Sequence, residues 1–498
     1  MADRRVRAVV VLGVLAVSAY LSYRPSLTLV VALYGAILTG ILIRWPRIAL
    51  PGLVLASAFV PFTIGTGTGS SITVAMLGLA ALTALWLAEM GLRRRIHLSP
   101  SPANAPWLAL CVVAGISLVA GSAMWSPWVA TKSNFVVVQL AQGAIFVLSA
   151  CAYWLLASDE GGRRMLRTLT AILVALGGVL IAGWLVPPLQ AVSGRVSFTG
   201  PVFRIWVVAL ASGLALFHTG LDRRARVLLL AVATLMVAIP TLQYRDWASG
   251  WLPPLLTLGI IGTIWLWHRS RLAGLATVAA SGLGYALYRL VIAEVAASDY
   301  WSLDTRVIAW QGLFQLLRGR WLFGLGPASY WHYWRGEIGG MSYLDPTTGH
   351  LHYTLDPTVN MHNNYMDVLG QMGVAGIAVM AWLLVSLARH AKRQLDAEPS
   401  GFGRAYAAAS LAALGGMLFA AMLGDWIWPF VYNVGLPGFT SSFLGWMMLG
   451  GLVVLERTRE TGSGYPSNTS LTAISNPSST PSPRSTSASP STVTSESD

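Results

Sequence analysis

The side chains best suited to chemistry are one histidine and three arginines. His362 lies in Val359-Asn360-Met361-His362-Asn363-Asn364-Tyr365-Met366, just before a long apolar run. A neutral imidazole there can accept a proton from a hydroxyl at physiological pH. Asn363 and Asn364 would orient the ring or bind hydroxyls of a ligand. The competing reading is structural: Asn at such a boundary also caps the helix that follows. Arg195 lies in Ser193-Gly194-Arg195-Val196-Ser197-Phe198-Thr199-Gly200-Pro201, and Arg245 in Gln243-Tyr244-Arg245-Asp246-Trp247. Both sit in short connections between apolar runs. A guanidinium presents a rigid fork of donors that matches phosphate oxygens, and an arginine at a membrane edge is a functional candidate. Each could instead anchor at headgroups or pair with a neighbour, as Arg245 could with Asp246. Arg306, one turn before Trp310, is a third phosphate-ligand candidate, or the partner of Asp299 or Asp304 in a structural network. Glu337, Asp345, Asp356 and Asp425 are further candidate bases.

These groups must be positioned by a bundle of membrane-spanning helices. The chain has 498 residues, of which 55% are apolar and 11% charged. Soluble domains carry about a quarter charged residues, so lipid must serve as solvent for much of this surface. A spanning helix needs about 20 apolar residues. Fourteen runs qualify, at roughly 8–23, 27–43, 48–64, 71–90, 106–124, 135–157, 165–187, 202–220, 226–242, 251–268, 272–293, 366–388, 405–424 and 438–455. The first follows Arg4, Arg5 and Arg7 without a small-residue cleavage site and is expected to stay as an uncleaved span.

The net charge of +13 is not a nucleic-acid footprint. The basic residues fall in short clusters between apolar runs, and alternate connections hold 22 of the 33. The other short connections hold almost none: Arg24, Lys132, Arg195 and Arg245. By the positive-inside rule both termini are expected in the cytoplasm, with the connection 294–365 outside it. That loop is long enough to be functional, and it holds five tryptophans. Leu303, Val307, Trp310, Phe314 and Leu317 recur at helical spacing and predict an amphipathic helix against the membrane, ended by the turn Gly324-Leu325-Gly326-Pro327. From 461 onward, 25 of 38 residues are Ser, Thr or Pro, which predicts a disordered tail.

Several chemistries find no support. Cys111 and Cys151 lie inside apolar runs and offer no disulfide framework or thiolate zinc site. No Asp-x-Asp motif stands in the outer loops, and no phosphate-cradling glycine loop follows a strand. No metal ligand set and no cofactor are expected.

One ordered set of motifs carries a resemblance. Arg306-x-x-x-Trp310, Leu322-Phe323-Gly324-Leu325-Gly326-Pro327, His362-Asn363-x-Tyr365-Met366 and Gly373-x-x-Gly376 follow one another within about 75 residues, 303–377. In this order the chain resembles the O-antigen ligase and O-antigen polymerase superfamily of bacterial membrane glycosyltransferases. The resemblance implies an all-α polytopic bundle of the C-type glycosyltransferase architecture, spanning 1–460 with the large extracytoplasmic loop. It implies inverting, metal-independent transfer of a glycan from a polyprenyl diphosphate to an acceptor lipid or growing polysaccharide, at the outer face of the cytoplasmic membrane. His362 would be the base or acceptor-positioning group. Arg195, Arg245 and Arg306 would bind diphosphate, and Asn363 and Tyr365 the sugar or acceptor. Two departures stand out. Arg245 is flanked by Tyr244 and Asp246 where the family has a Ser-Arg-Gly-type setting. Gln371 stands where the family often has Glu. A lipid-linked glycan transporter and a non-enzymatic envelope scaffold are the rival expectations. A transporter should bury charge at mid-membrane and often shows two related halves, and neither is evident in the sequence.

Overall fold

The structure, a computed structural model, describes residues 46–462 apart from 67–69, 97, 132, 199, 244–246, 277–299, 339–341, 345–350 and 354–359. The expected spans 8–23 and 27–43, most of 272–293, and the tail from 463 lie outside the described residues. In lipid every backbone N–H and C=O must be satisfied within the chain, which makes the helix the default for each apolar run. Among the described residues, twelve helices of more than ten residues follow in order: α1 (Ala49–Phe59), α2 (Val74–Arg93), α3 (Asn104–Ala123), α4 (Phe135–Ala157), α5 (Gly162–Leu185), α6 (Pro201–Phe217), α7 (Arg223–Gln243), α8 (Ala248–Arg269), α9 (Tyr300–Leu316), α10 (Asn364–Ala397), α11 (Phe402–Leu423) and α12 (Phe439–Gly462). Among the described residues, nine are long and apolar enough to cross a membrane; α1 and α6 are shorter apolar helices. The chain is thus a helical membrane protein. The predicted run 48–64 is helical only to Phe59, because Thr63–Gly65 (β1) turns back to pair antiparallel with Ser71–Thr73 (β2) ahead of α2.

The centre of the bundle is α12, whose apolar stretch is almost wholly buried, together with α6 and α11. Small residues let these backbones approach, as membrane helix interfaces favour. Gly450 lies against the Tyr153 carbonyl, and the Tyr406 hydroxyl donates to the Met448 carbonyl at 2.6 Å. Helices α2, α3, α7 and α8 are mostly exposed and face the surroundings.

Among the described residues, connections gather at two ends of the bundle. At one end Arg457 donates to Ser99 Oγ (3.1 Å) and to the Ala157 and Asp159 carbonyls, Arg163 pairs with the buried Glu398 (2.7 Å), and Gly401 N donates to Phe217 O (3.3 Å). This is the arginine-rich end. At the other end Ser197 N donates to Ala58 O (2.8 Å), Leu436 N to Ser70 Oγ (3.2 Å), and Ser126 N to Tyr333 Oη (3.1 Å).

The long loop builds a small core of its own on the basic-poor end, from Val129, Ala309, Leu313, Leu316, Leu317, Leu325, Tyr330, Tyr333, Trp334 and Met361. Helix α9 forms where predicted, but its inward face differs from the predicted stripe. Ala309, Leu313 and Leu316 are buried, while Val307 and Phe314 are exposed, Phe314 stacking on Trp321 with centroids 5.9 Å apart. The helix is apolar on nearly every side, so spacing alone did not choose the face.

Helix α10 is broken at Gly373 (φ 63°, ψ −160°). The break releases the Gly370 and Gln371 carbonyls, which accept from Leu325 N (2.8 Å) and Gly326 N (3.1 Å). Beyond it, Val374 N and Ala375 N donate to the Trp321 and Leu322 carbonyls (2.8 and 3.1 Å). A Cβ on Gly324 would lie 2.7 Å from the Gly370 carbonyl oxygen, and one on Gly121 2.5 Å from that of Leu325. The glycine-rich turn and the Gly373-x-x-Gly376 segment are thus two halves of one backbone clamp, which ties the long loop to the bundle.

Candidate functional site

His362 occupies the last loop position but one before α10, in a left-handed conformation (φ 44°) that costs a non-glycine residue about 1 kcal/mol or more. Its neighbours hold it there. Trp310 Nε1 of α9 donates to Met361 O (3.1 Å). Asn363 caps α10, its Oδ1 accepting from Tyr365 N (2.9 Å) and Met366 N (3.2 Å), and its Nδ2 donates to Met422 O (3.3 Å). The Tyr365 hydroxyl donates to Leu418 O (2.8 Å). Both side chains proposed above for acceptor binding are thus engaged in fixing α10 against α11.

The imidazole is half-buried and meets the connection between α11 and α12. Asn433 Nδ2 lies 3.0 Å from His362 Nδ1 and donates to Asp425 Oδ1 (2.6 Å). Asp425 is buried, with Oδ2 accepting from Phe430 N (2.7 Å). Burial pushes its carboxyl pKa up against these stabilising hydrogen bonds. Asn364 straps the same connection, accepting from Ile427 N (3.0 Å) and donating to Trp428 O (2.7 Å). Gln142 of α4 straps it from the other side, accepting from Val431 N (2.9 Å).

Arg306, half-buried on α9, is the cation of this pocket. Its Nε is buried with no hydrogen-bond partner among the described residues. Burial lowers its pKa, and among the described residues no carboxylate opposes that shift. Asp299 and the side chain of Asp304 lie outside the described residues. Guanidinium remains charged regardless. Burial first, and the Arg306 charge second, lower the His362 pKa. His362 is therefore a neutral imidazole at neutral pH, beside a fixed positive charge.

Its tautomer depends on Asn433. When the amide nitrogen donates to both Nδ1 and Asp425, the ring proton sits on Nε2. With the amide turned over, its oxygen accepts from Nδ1–H, Nε2 becomes a free acceptor, and Asp425 must carry a proton to keep its bond. Asn433 is thus a positioning residue. Asn433→Leu is expected to lower the reaction rate about ten- to a hundred-fold and to flatten its pH dependence near the Asp425 transition. A pH–rate profile matching wild type would discard this role.

The remaining arginines are placed less closely. Arg195 follows a short helical turn (Gln190–Ser193) on the same end and is exposed, with no contact to His362. Arg245 lies outside the described residues. Arg204 was not singled out in the sequence because it lies inside an apolar run. It is buried near the start of α6, between Trp184 (5.6 Å) and Trp247 (4.9 Å), and donates to Gly250 O (3.3 Å). An arginine three residues after the helix-opening proline, with Trp184 near the end of α5 and Trp247 just before α8, was the available signal.

Among the described residues no group of three or more His, Cys, Asp and Glu side chains is arranged to hold a metal. No protein-family model and no curated protein matches this chain.

Proposed function

We propose that the protein transfers a glycan from a polyprenyl diphosphate to a hydroxyl of an acceptor lipid or growing polysaccharide, at the outer face of the cytoplasmic membrane. What supports this reading is that half-buried Arg306 acts electrostatically on the half-buried His362, which Asn433 and Asp425 hold, at the loop end of a membrane bundle. By the positive-inside rule that end faces away from the cytosol. The motif order shared with the O-antigen ligase and polymerase superfamily points the same way.

The chemistry balances without further reagents. The acceptor oxygen forms a bond to the anomeric carbon from the face opposite the diphosphate, with inversion. The sugar–phosphate bond breaks, and its electron pair leaves on the diphosphate. Arg306 stabilises that growing negative charge where water is scarce. With the Asn433 amide turned so that its oxygen accepts from Nδ1–H and Asp425 protonated, His362 Nε2 takes the hydroxyl proton late in attack. Arg195 and Arg245 are assigned to the same diphosphate.

A transporter would also use a broken helix such as α10. Here, however, the carbonyls freed at the break are taken up by the 321–326 backbone rather than left facing a cavity. Analysis of lipid-linked glycans in a deletion strain separates the readings. Glycan, as single units or finished chains, should accumulate on its carrier outside the membrane. Accumulation on the cytosolic leaflet would favour transport.

A further inference from the structure

A cleft of about 380 Å³ opens beside the catalytic pocket, between the β1–β2 hairpin and the connection leading into α12. Its walls include Ser70 and Ser71 on the hairpin side and Tyr432, Asn433 and Gly435 on the other. Its volume is that of a small-molecule site. Two features define what it can hold. Among the described residues no charged side chain lines it, so these offer nothing to compensate a diphosphate, whereas hydroxyls, an amide and backbone groups at the Gly435 turn (φ 73°), beside apolar Val431, Val434 and Pro437, suit a neutral ligand with many hydroxyls. Tyr432 also supplies a rigid aromatic wall, because Trp331 stacks on it (5.1 Å, 20°) and Arg335 covers the far face of the pair at 4.3 Å from the Trp331 ring.

Asn433 links this cleft to the chemistry, because it lines the cleft and also lies 3.0 Å from His362 Nδ1. A ligand seated against Asn433 is therefore one side chain away from the imidazole. We propose that this cleft binds a neutral sugar residue of the acceptor and presents its hydroxyl to His362, leaving the diphosphate donor to the arginines. The role in transfer rests on the proposed function; occupancy by sugar does not.

Photo-crosslinking in intact membranes tests it on the full chain carrying Cys111→Ala and Cys151→Ala. A benzophenone maleimide is attached at Ser71→Cys, or at Leu92→Cys, which is 87% exposed at the arginine-rich end. The expected result is a carbohydrate-positive adduct at position 71, about ten-fold above position 92, that persists in the His362→Ala background. Absence of carbohydrate at 71, equal labelling at both positions, or an adduct of phospholipid or peptide alone would overturn the proposal. If His362→Ala keeps full transfer while the adduct forms, the enzymatic reading fails and the sugar site stands. In a transfer assay, Ser71→Trp should raise the acceptor KM about ten-fold and leave the donor KM unchanged; an unchanged acceptor KM would count against the cleft.

Discussion

His362→Ala is expected to lower glycan transfer by about 10²–10⁴-fold, the usual contribution of a positioned general base, while membrane insertion and thermal stability stay near wild type. The size of the effect follows from isolation. The His362 imidazole lies within the influence of the Arg306 charge, and its Nδ1 is fixed by Asn433, which is in turn held by the buried Asp425. The backbone confuses the simplest test, because residue 362 has φ 44° and alanine tolerates that conformation poorly. His362→Asn removes the difficulty. Asparagine enters the left-handed region readily and can still bond Asn433, yet it cannot take up a proton. Both variants should be equally inactive. If His362→Asn turns over at the wild-type rate, the imidazole has no role in proton transfer.

Arg306 gives the second large effect. Arg306→Gln is expected to cost about 10²–10³-fold in kcat, as loss of one preorganised donor to developing charge does, and Arg306→Lys less, since it keeps the charge but loses the fork. The pH profile adds a signature that a structural role would not move. Burial and then the Arg306 charge hold the His362 pKa below its ordinary value. The base works when neutral, so activity is lost as pH falls through that pKa, and a lowered pKa extends activity toward acid. Removing the charge removes the second cause, so the acidic limb should shift to higher pH in Arg306→Gln and stay near wild type in Arg306→Lys. A limb unmoved in the glutamine variant would mean that the two groups do not share a pocket during turnover.

The sequence makes some of this architecture plain and conceals the rest for physical reasons. Spanning helices declare themselves locally, since a run of about 20 apolar residues has no other stable form in lipid. The arginine clusters around Arg163 and Arg457 gather at one end of the bundle. The capping role of Asn363 could be read from a neighbour relationship. The clamp could not. Gly373 reads as a helix opening, and its partners, Gly324 and Gly121, lie about 50 and 250 residues away. Asp425 was legible only as one acid among several, because its connection to His362 runs through Asn433 and exists only once the α11–α12 connection folds over the loop. Arg204 was hidden by its own setting, since an apolar run that tolerates one arginine looks the same whether that arginine snorkels or is boxed between tryptophans. On α9 the periodicity was real but carried no direction, and Val307 and Phe314 face outward as a result.

The central claim is that Arg306 and His362 form one pocket around the carrier's diphosphate. A structure of the protein in a lipid disc, bound to a non-hydrolysable polyprenyl-diphosphate glycan, tests it most directly. The account predicts phosphate oxygens within hydrogen-bond reach of the Arg306 guanidinium and the anomeric carbon facing the His362 imidazole, at the end of the bundle away from the arginine clusters. Diphosphate bound at the arginine-rich end, or held with His362 turned away from the sugar, would contradict it.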